Sequence, residues 1–148
     1  MLLPGTVAIV IPAAIVWFAG ANLESLTAVV GALLFAAGLA LVAWTVTLFV
    51  RAGRGTLAPW DPTEKLVVSG PYRHVRNPMI TGVATILAGE ALFFRSWGIA
   101  VELAVFVAVN AIYFPFVEEP GLRRRFGPEY EEYQAHVPRW LPRRQRGA

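Results

Sequence analysis

The sequence predicts an all-α, polytopic membrane protein, with about four transmembrane helices in two hairpins and short amphipathic helices at the C-terminus. Composition carries the first part of that prediction. Of 148 residues, 56% are hydrophobic and 16% charged, and the mean hydropathy is +0.54, outside the range of soluble domains. Four apolar runs approach the roughly 20 residues needed to cross a bilayer. Little chain is left for a separate soluble domain, so it reads as one membrane-embedded unit. Residues 1–50 form a first helical hairpin, 51–79 a cytoplasmic loop, 80–116 a second hairpin and 117–148 a cytoplasmic tail.

Leu2 to Ala21 is the first run, with Pro4 near its start and a kink expected at Pro12. No Lys or Arg precedes its apolar stretch and no polar cleavage region follows, so it reads as a retained span rather than a signal peptide. Asn22-Leu23-Glu24-Ser25 turns the chain into the second run, Leu26 to Val50. The third, Ile80 to Phe94, is short, which calls for tilt, half-insertion or completion by Pro78 and Met79. Arg95-Ser96 separates it from the fourth, Trp97 to Phe116, which should kink at Phe114-Pro115-Phe116. In the tail, Leu122, Phe126, Tyr130, Tyr133 and Val137 recur at helical spacing on one face. Gly127-Pro128 interrupts that pattern and Pro138 stops it, giving two short helices that lie on the cytoplasmic surface or fold back over the loop.

Charge sets the orientation. Arg51, Arg54, Lys65, Arg73 and Arg76 lie between the second and third runs, and Arg123, Arg124, Arg125, Arg139, Arg143, Arg144 and Arg146 follow the fourth. By the positive-inside rule both termini and the central loop face the cytoplasm. The net charge of +3 is concentrated there and suits anionic lipid. Because the arginines alternate with Phe126, Tyr130, Tyr133 and Trp140 beside a membrane segment, the partner is a bilayer and not nucleic acid. Cysteine is absent, which excludes disulfides and a thiolate nucleophile, and His74 and His136 alone do not make a metal site. Gly31 to Gly38 is spaced for close helix packing without naming a partner, so the oligomeric state stays open.

The polar features that bilayer anchoring leaves unexplained are Gly70-Pro-Tyr-Arg-His-Val-Arg-Asn-Pro-Met79 and the pair Glu118-Glu119. Carboxylates at the end of the fourth helix oppose its dipole and call for a cationic partner, either a ligand or loop arginines, of which Arg73 and Arg76 are nearest. Within the spans, Glu90 and Glu102 are charges that should face a cavity or a partner, with Arg95 available to either. Asn110 suits an interhelical hydrogen bond, and Pro59-Trp60-Asp61-Pro62 a rigid turn bearing an interfacial Trp.

The segment from Gly70 through Gly82 is followed by Glu118-Glu119-Pro-Gly-Leu122, Phe126-Gly127-Pro-Glu-Tyr130, Tyr133 and Val137-Pro-Arg139-Trp-Leu-Pro142. In this order they resemble the isoprenylcysteine carboxyl methyltransferase family and the related phospholipid methyltransferases, over roughly residues 55 to 142. The resemblance implies an integral membrane enzyme that transfers a methyl group from S-adenosylmethionine to a lipophilic carboxylate or amine acceptor. It implies cofactor contacts from Tyr72, Arg76, Asn77, Pro78 and Gly82 on one wall and Glu118 on the other. Glu119 and Arg139 would be catalytic, Glu119 assisting an amine acceptor and Arg139 positioning an anionic one. Asn77 stands where a His is usual and Ile80 where an aromatic is common; Asn keeps a donor and an acceptor but cannot titrate. Rich Arg and Ala with a single Lys point to a high-GC bacterial gene and hence to a bacterial inner membrane. The alternatives are a nicotinamide-dependent membrane reductase of the steroid 5-alpha-reductase type, whose members are generally longer, and a non-catalytic membrane scaffold.

Overall fold

The computed structural model describes residues 26–52 and 65–140, with isolated positions 9, 10, 14 and 17. The predicted span Leu2 to Ala21, the Asn22 to Ser25 turn, the Pro59 to Pro62 turn and the arginines beyond Trp140 lie outside the described residues. Five α-helices follow one another: α1 (Leu26–Ala52), α2 (Pro78–Phe93), α3 (Trp97–Tyr113), α4 (Glu119–Phe126) and α5 (Pro128–His136). A single 3-10 turn, Gly70–Arg73, precedes α2, and among the described residues there is no strand. Two helical stretches, Leu26–Arg51 and Trp97–Phe126, are long and apolar enough to cross a membrane. Among the described residues these are two of the four predicted spans, and the third, Pro78–Phe93, is a shorter apolar helix. α2 begins at Pro78, as the third run required, but its 16 residues rise only about 24 Å against a hydrocarbon core of about 30 Å.

The chain divides into two compact units. The first comprises Met1–Val42 with Ile80–Ile112, and the second Ala43–Met79 with Tyr113–Ala148. Within the first, α1 and α2 meet backbone to backbone at glycines. A Cβ placed on Gly31 would stand 2.6 Å from the Gly89 carbonyl oxygen, and one placed on Gly89 would stand 2.6 Å from that of Gly31. Seven residues along both helices the arrangement repeats, with Gly38 against the Gly82 carbonyl and Gly82 against Val42 and Gly38. Contact partners that run in opposite directions along the two helices make them antiparallel. Small residues let helix backbones approach where lipid offers no hydrophobic drive for association. The partner left open for Gly31 and Gly38 is thus α2 of the same chain.

The turn between α2 and α3 is built from its two polar residues. Arg95 takes φ +49°, Ser96 N–H donates to Ala91 O (3.0 Å) and Arg95 N–H to Leu92 O (3.3 Å), the paired bonds of a left-handed helix stop. Ser96 then caps α3, its Oγ accepting from Ile99 N–H at 3.4 Å. Between α2 and α3 lies the apolar core of this unit, Val83, Ile86, Leu87 and Ile99, flanked by Leu103 and Phe106.

In the second unit the expected kink after Tyr113 is a widened turn, and the helix does not end there. Glu119 N–H bonds to Phe114 O, five residues back, where Pro115 supplies no N–H of its own. The extra residue re-registers the helix, leaving Phe116 76% exposed while Glu119 is 4% exposed. Glu118-Glu119 therefore stands at the start of α4 and not at a helix C-terminus, which removes the expected conflict with the dipole. Gly127, at φ +54° and ψ −130°, forms the corner into α5, a conformation that side chains with a Cβ avoid.

Candidate functional site

The geometry of the second unit starts with where its loop is held. Gly70, at φ +58°, lies against Leu48 and Trp44 of α1, and the Tyr72 ring packs on Phe49 with centroids 6.0 Å apart. From the other side the tail folds back over the loop. Tyr133 OH donates to Tyr72 O (2.7 Å), and Arg76 N–H donates to Pro138 O (2.9 Å). Trp140 meets Phe114 edge to face at 5.8 Å. Tail and loop thus share backbone as well as side-chain bonds, as expected of a tail that folds back over the loop.

Glu119 is the centre of this arrangement. Its Oε1 accepts from Arg76 Nη1 (2.9 Å) and Arg139 Nε (2.8 Å), and its Oε2 from Arg139 Nη2 (2.9 Å) and Gln134 Nε2 (3.1 Å). A carboxylate offers about four lone-pair sites, so these donors fill it. Glu119 is thus a buried counterion shared by two guanidiniums. Of the two loop arginines expected to meet the carboxylates, Arg76 does so and Arg73 is exposed. Arg139 is bound twice to Glu119, which holds its guanidinium protonated still more firmly than usual.

The cluster Arg76, Arg139 and Glu119 carries one positive charge in excess. Arg76 has a side chain only 10% exposed, and its Nε is buried with no hydrogen-bond partner. Arg139 is 31% exposed along its side chain, so the surplus charge reaches the surface. Glu118 is half-buried, and no described residue donates a hydrogen bond to it. Asn77 and Pro78 are buried beside Arg76 in sequence, at the entry to α2. Burial pushes the Tyr72 phenol well above its ordinary value, with Tyr133 and Glu118 adding to the shift, and burial does the same for Tyr133 and Tyr130. All three phenols therefore remain neutral donors in the physiological range.

Seven of the eight residues singled out in the sequence lie in the second unit; of these Arg76, Glu119 and Arg139 bond to one another through their side chains, and Tyr72 joins the tail through its backbone carbonyl. Glu118 and Pro78 flank it in sequence. Gly82 belongs to the first unit, and its open side faces Gly38 and Val42, so the close approach it permits is to a helix. In the first unit Glu90 is buried and Glu102 half-buried, with no hydrogen bond to Glu90 Oε2 or to either Glu102 oxygen, and Arg95 pairs with neither. Asn110 Nδ2 donates within its own helix, to Phe106 O at 2.8 Å, and not between helices as its residue type suggested. Gln134 was missed; its only signal in sequence is its position one residue after Tyr133 on α5.

Among the described residues no group of His, Cys, Asp and Glu side chains could hold a metal ion. Comparison with curated proteins and with solved structures gave no match. Residues 26–129, which include α1, the loop, the α2–α3 hairpin, α4 and the start of α5, match phospholipid methyltransferase. Over that majority of its length, and with apolar helices that suit a membrane, the chain belongs to the phospholipid methyltransferase family.

Proposed function

We propose that the protein is an integral membrane methyltransferase that uses S-adenosylmethionine and acts on a lipophilic carboxylate or amine, with both termini cytoplasmic in a bacterial inner membrane. The observation that carries the proposal is the surplus positive charge on the Glu119 cluster, together with the buried, unpartnered Nε of Arg76. Such a donor set fits the carboxylate of the cofactor, and the Glu118 carboxylate fits its amino group or ribose hydroxyls. When bound, the cofactor supplies a methyl group on a sulfonium, open to in-line displacement. The chain's own task is to fix geometry and exclude water. Arg76 and Arg139 hold an anionic group, and Glu119 holds both guanidiniums in register. Tyr72 and Asn77 contribute neutral hydrogen bonds, and Pro78 sets the backbone entering α2. A carboxylate acceptor needs no base; an amine must lose a proton first, and Glu118 has the lone pairs for it that Glu119 lacks. Arg139, the more exposed guanidinium, is placed to meet an anionic acceptor as well. The family match gives no support to the reductase or scaffold alternatives.

Calorimetric titration of the detergent-purified protein with S-adenosylhomocysteine tests this reading, with NADPH in parallel. Saturable binding that is lost in Glu118→Ala is the expected result. Binding of NADPH alone, or of neither ligand by folded protein, would contradict it.

A further inference from the structure

We infer that Gln134 is a positioning residue, which through Glu119 sets the angle at which Arg76 and Arg139 present their free N–H groups to the cofactor. The inference rests on the cofactor reading above. Three of the donors on Glu119 are guanidinium N–H groups from the two arginines that face the ligand; the fourth is uncharged and comes from α5. That fourth donor is itself oriented. Gln134 Oε1 accepts from Arg123 Nε (3.0 Å) and Nη2 (2.6 Å), and a guanidinium, having no acceptor, can meet only the oxygen end of an amide. Arg123 thereby turns the amide nitrogen toward Glu119 Oε2 and removes the ambiguity of amide orientation.

The result is a relay from an exposed arginine on α4, through a neutral amide on α5, to the buried carboxylate that starts α4. Without the amide, Oε2 keeps one donor, Arg139 Nη2, and the carboxylate can swing about its Arg139 fork and carry Arg76 with it. A methionine at 134 has the size of glutamine but no donor. A glutamate has the shape, but as a carboxylate, a form that Arg123 favours and Glu119 disfavours, it has no proton to give; only when protonated at acid pH can its O–H donate as the amide does. Position 134 lies outside the residues that match the family, so membership alone does not give it this task.

Binding of S-adenosylhomocysteine by wild type, Gln134→Met and Gln134→Glu, measured from about pH 8 to about pH 4, tests the inference. Gln134→Met should bind roughly tenfold more weakly at every pH, the loss expected for one hydrogen bond to a charged group. Gln134→Glu should bind weakly at the upper end and recover toward wild type as the pH falls, a profile that mere loss of packing would not produce. Wild-type affinity in Gln134→Met, or no recovery in Gln134→Glu, would overturn the role of Gln134 alone. Absence of binding by wild type would overturn the cofactor reading and this inference with it. Should Gln134→Met fail to fold, the pH profile of Gln134→Glu decides.

Discussion

Each of the two units of this protein has its own source of internal cohesion, and the two sources are opposite in kind. In the first, residues up to Val42 and from Ile80 to Ile112, cohesion comes from glycines that let α1 and α2 touch backbone to backbone and from the Val83, Ile86, Leu87 and Ile99 core. In the second, cohesion comes from charge-assisted hydrogen bonds around Glu119 and from the tail bonded to the loop backbone. The glycine and apolar contacts of the first unit involve no charged donor, and the polar atoms left over there, Glu90 Oε2 and both Glu102 oxygens, are acceptors. The second kind has a surplus charge and a buried unpartnered donor. A surplus of positive donors suits an anionic ligand, so binding is expected in the second unit.

The comparison breaks most sharply at Glu119. Glu119→Ala leaves two guanidiniums facing each other without a counterion, one of them buried. Loss of one partner from such a cluster costs about 3–5 kcal/mol. Thermal melts in detergent should show the destabilisation, and binding of S-adenosylhomocysteine should disappear; a fully stable variant would show that the cluster is not what holds the second unit. Gly89→Val tests the other half. Its added carbon would stand 2.5 Å from Phe35 N and 2.6 Å from Gly31 O, backbone atoms that cannot turn away. About 1–3 kcal/mol of stability should be lost, and any variant that folds should bind the ligand with near wild-type affinity.

Smaller effects sharpen the picture of the tail. Tyr133→Phe removes the bond to Tyr72 O and should cost about 1 kcal/mol in a denaturation series. The same phenols give the second unit an alkaline limit. Burial raises Tyr72, Tyr133 and Tyr130 above the ordinary value of 10.0, so the unfolded chain ionises first. The stability they contribute is full below about pH 10 and falls as the pH rises beyond it. Tyr133→Phe should flatten that fall, measured as melting temperature against pH.

Much of the fold could be read from residues. Hydropathy marked α1, α2 and α3, Pro78 marked the start of α2, and Gly127-Pro128 marked the corner between α4 and α5, because each signal is local. The spacing of Gly31 and Gly38 was visible too, but its partner pair, Gly82 and Gly89, is far along the chain, so Gly82 was attached to a neighbouring motif instead. Pro115 was read as a kink because a proline signals a missing bond without saying how the helix resumes; the wider bond from Glu119 to Phe114 is what turned Glu119 inward. Topology offered Arg73 and Arg76 together as partners for Glu118-Glu119, without saying which would reach which. That Arg139 and Gln134 would complete the same carboxylate depends on the fold of the tail over the loop, which no spacing in the sequence encodes.

The most direct test of the central claim is amide hydrogen exchange on the purified protein with and without saturating S-adenosylhomocysteine. Protection should gather in Gly70–Met79 and Phe114–Trp140, with the glycine-packed stretches of α1 and α2 unchanged. Protection confined to those stretches, or no protection anywhere while the protein is folded and ligand is in excess, would contradict the account.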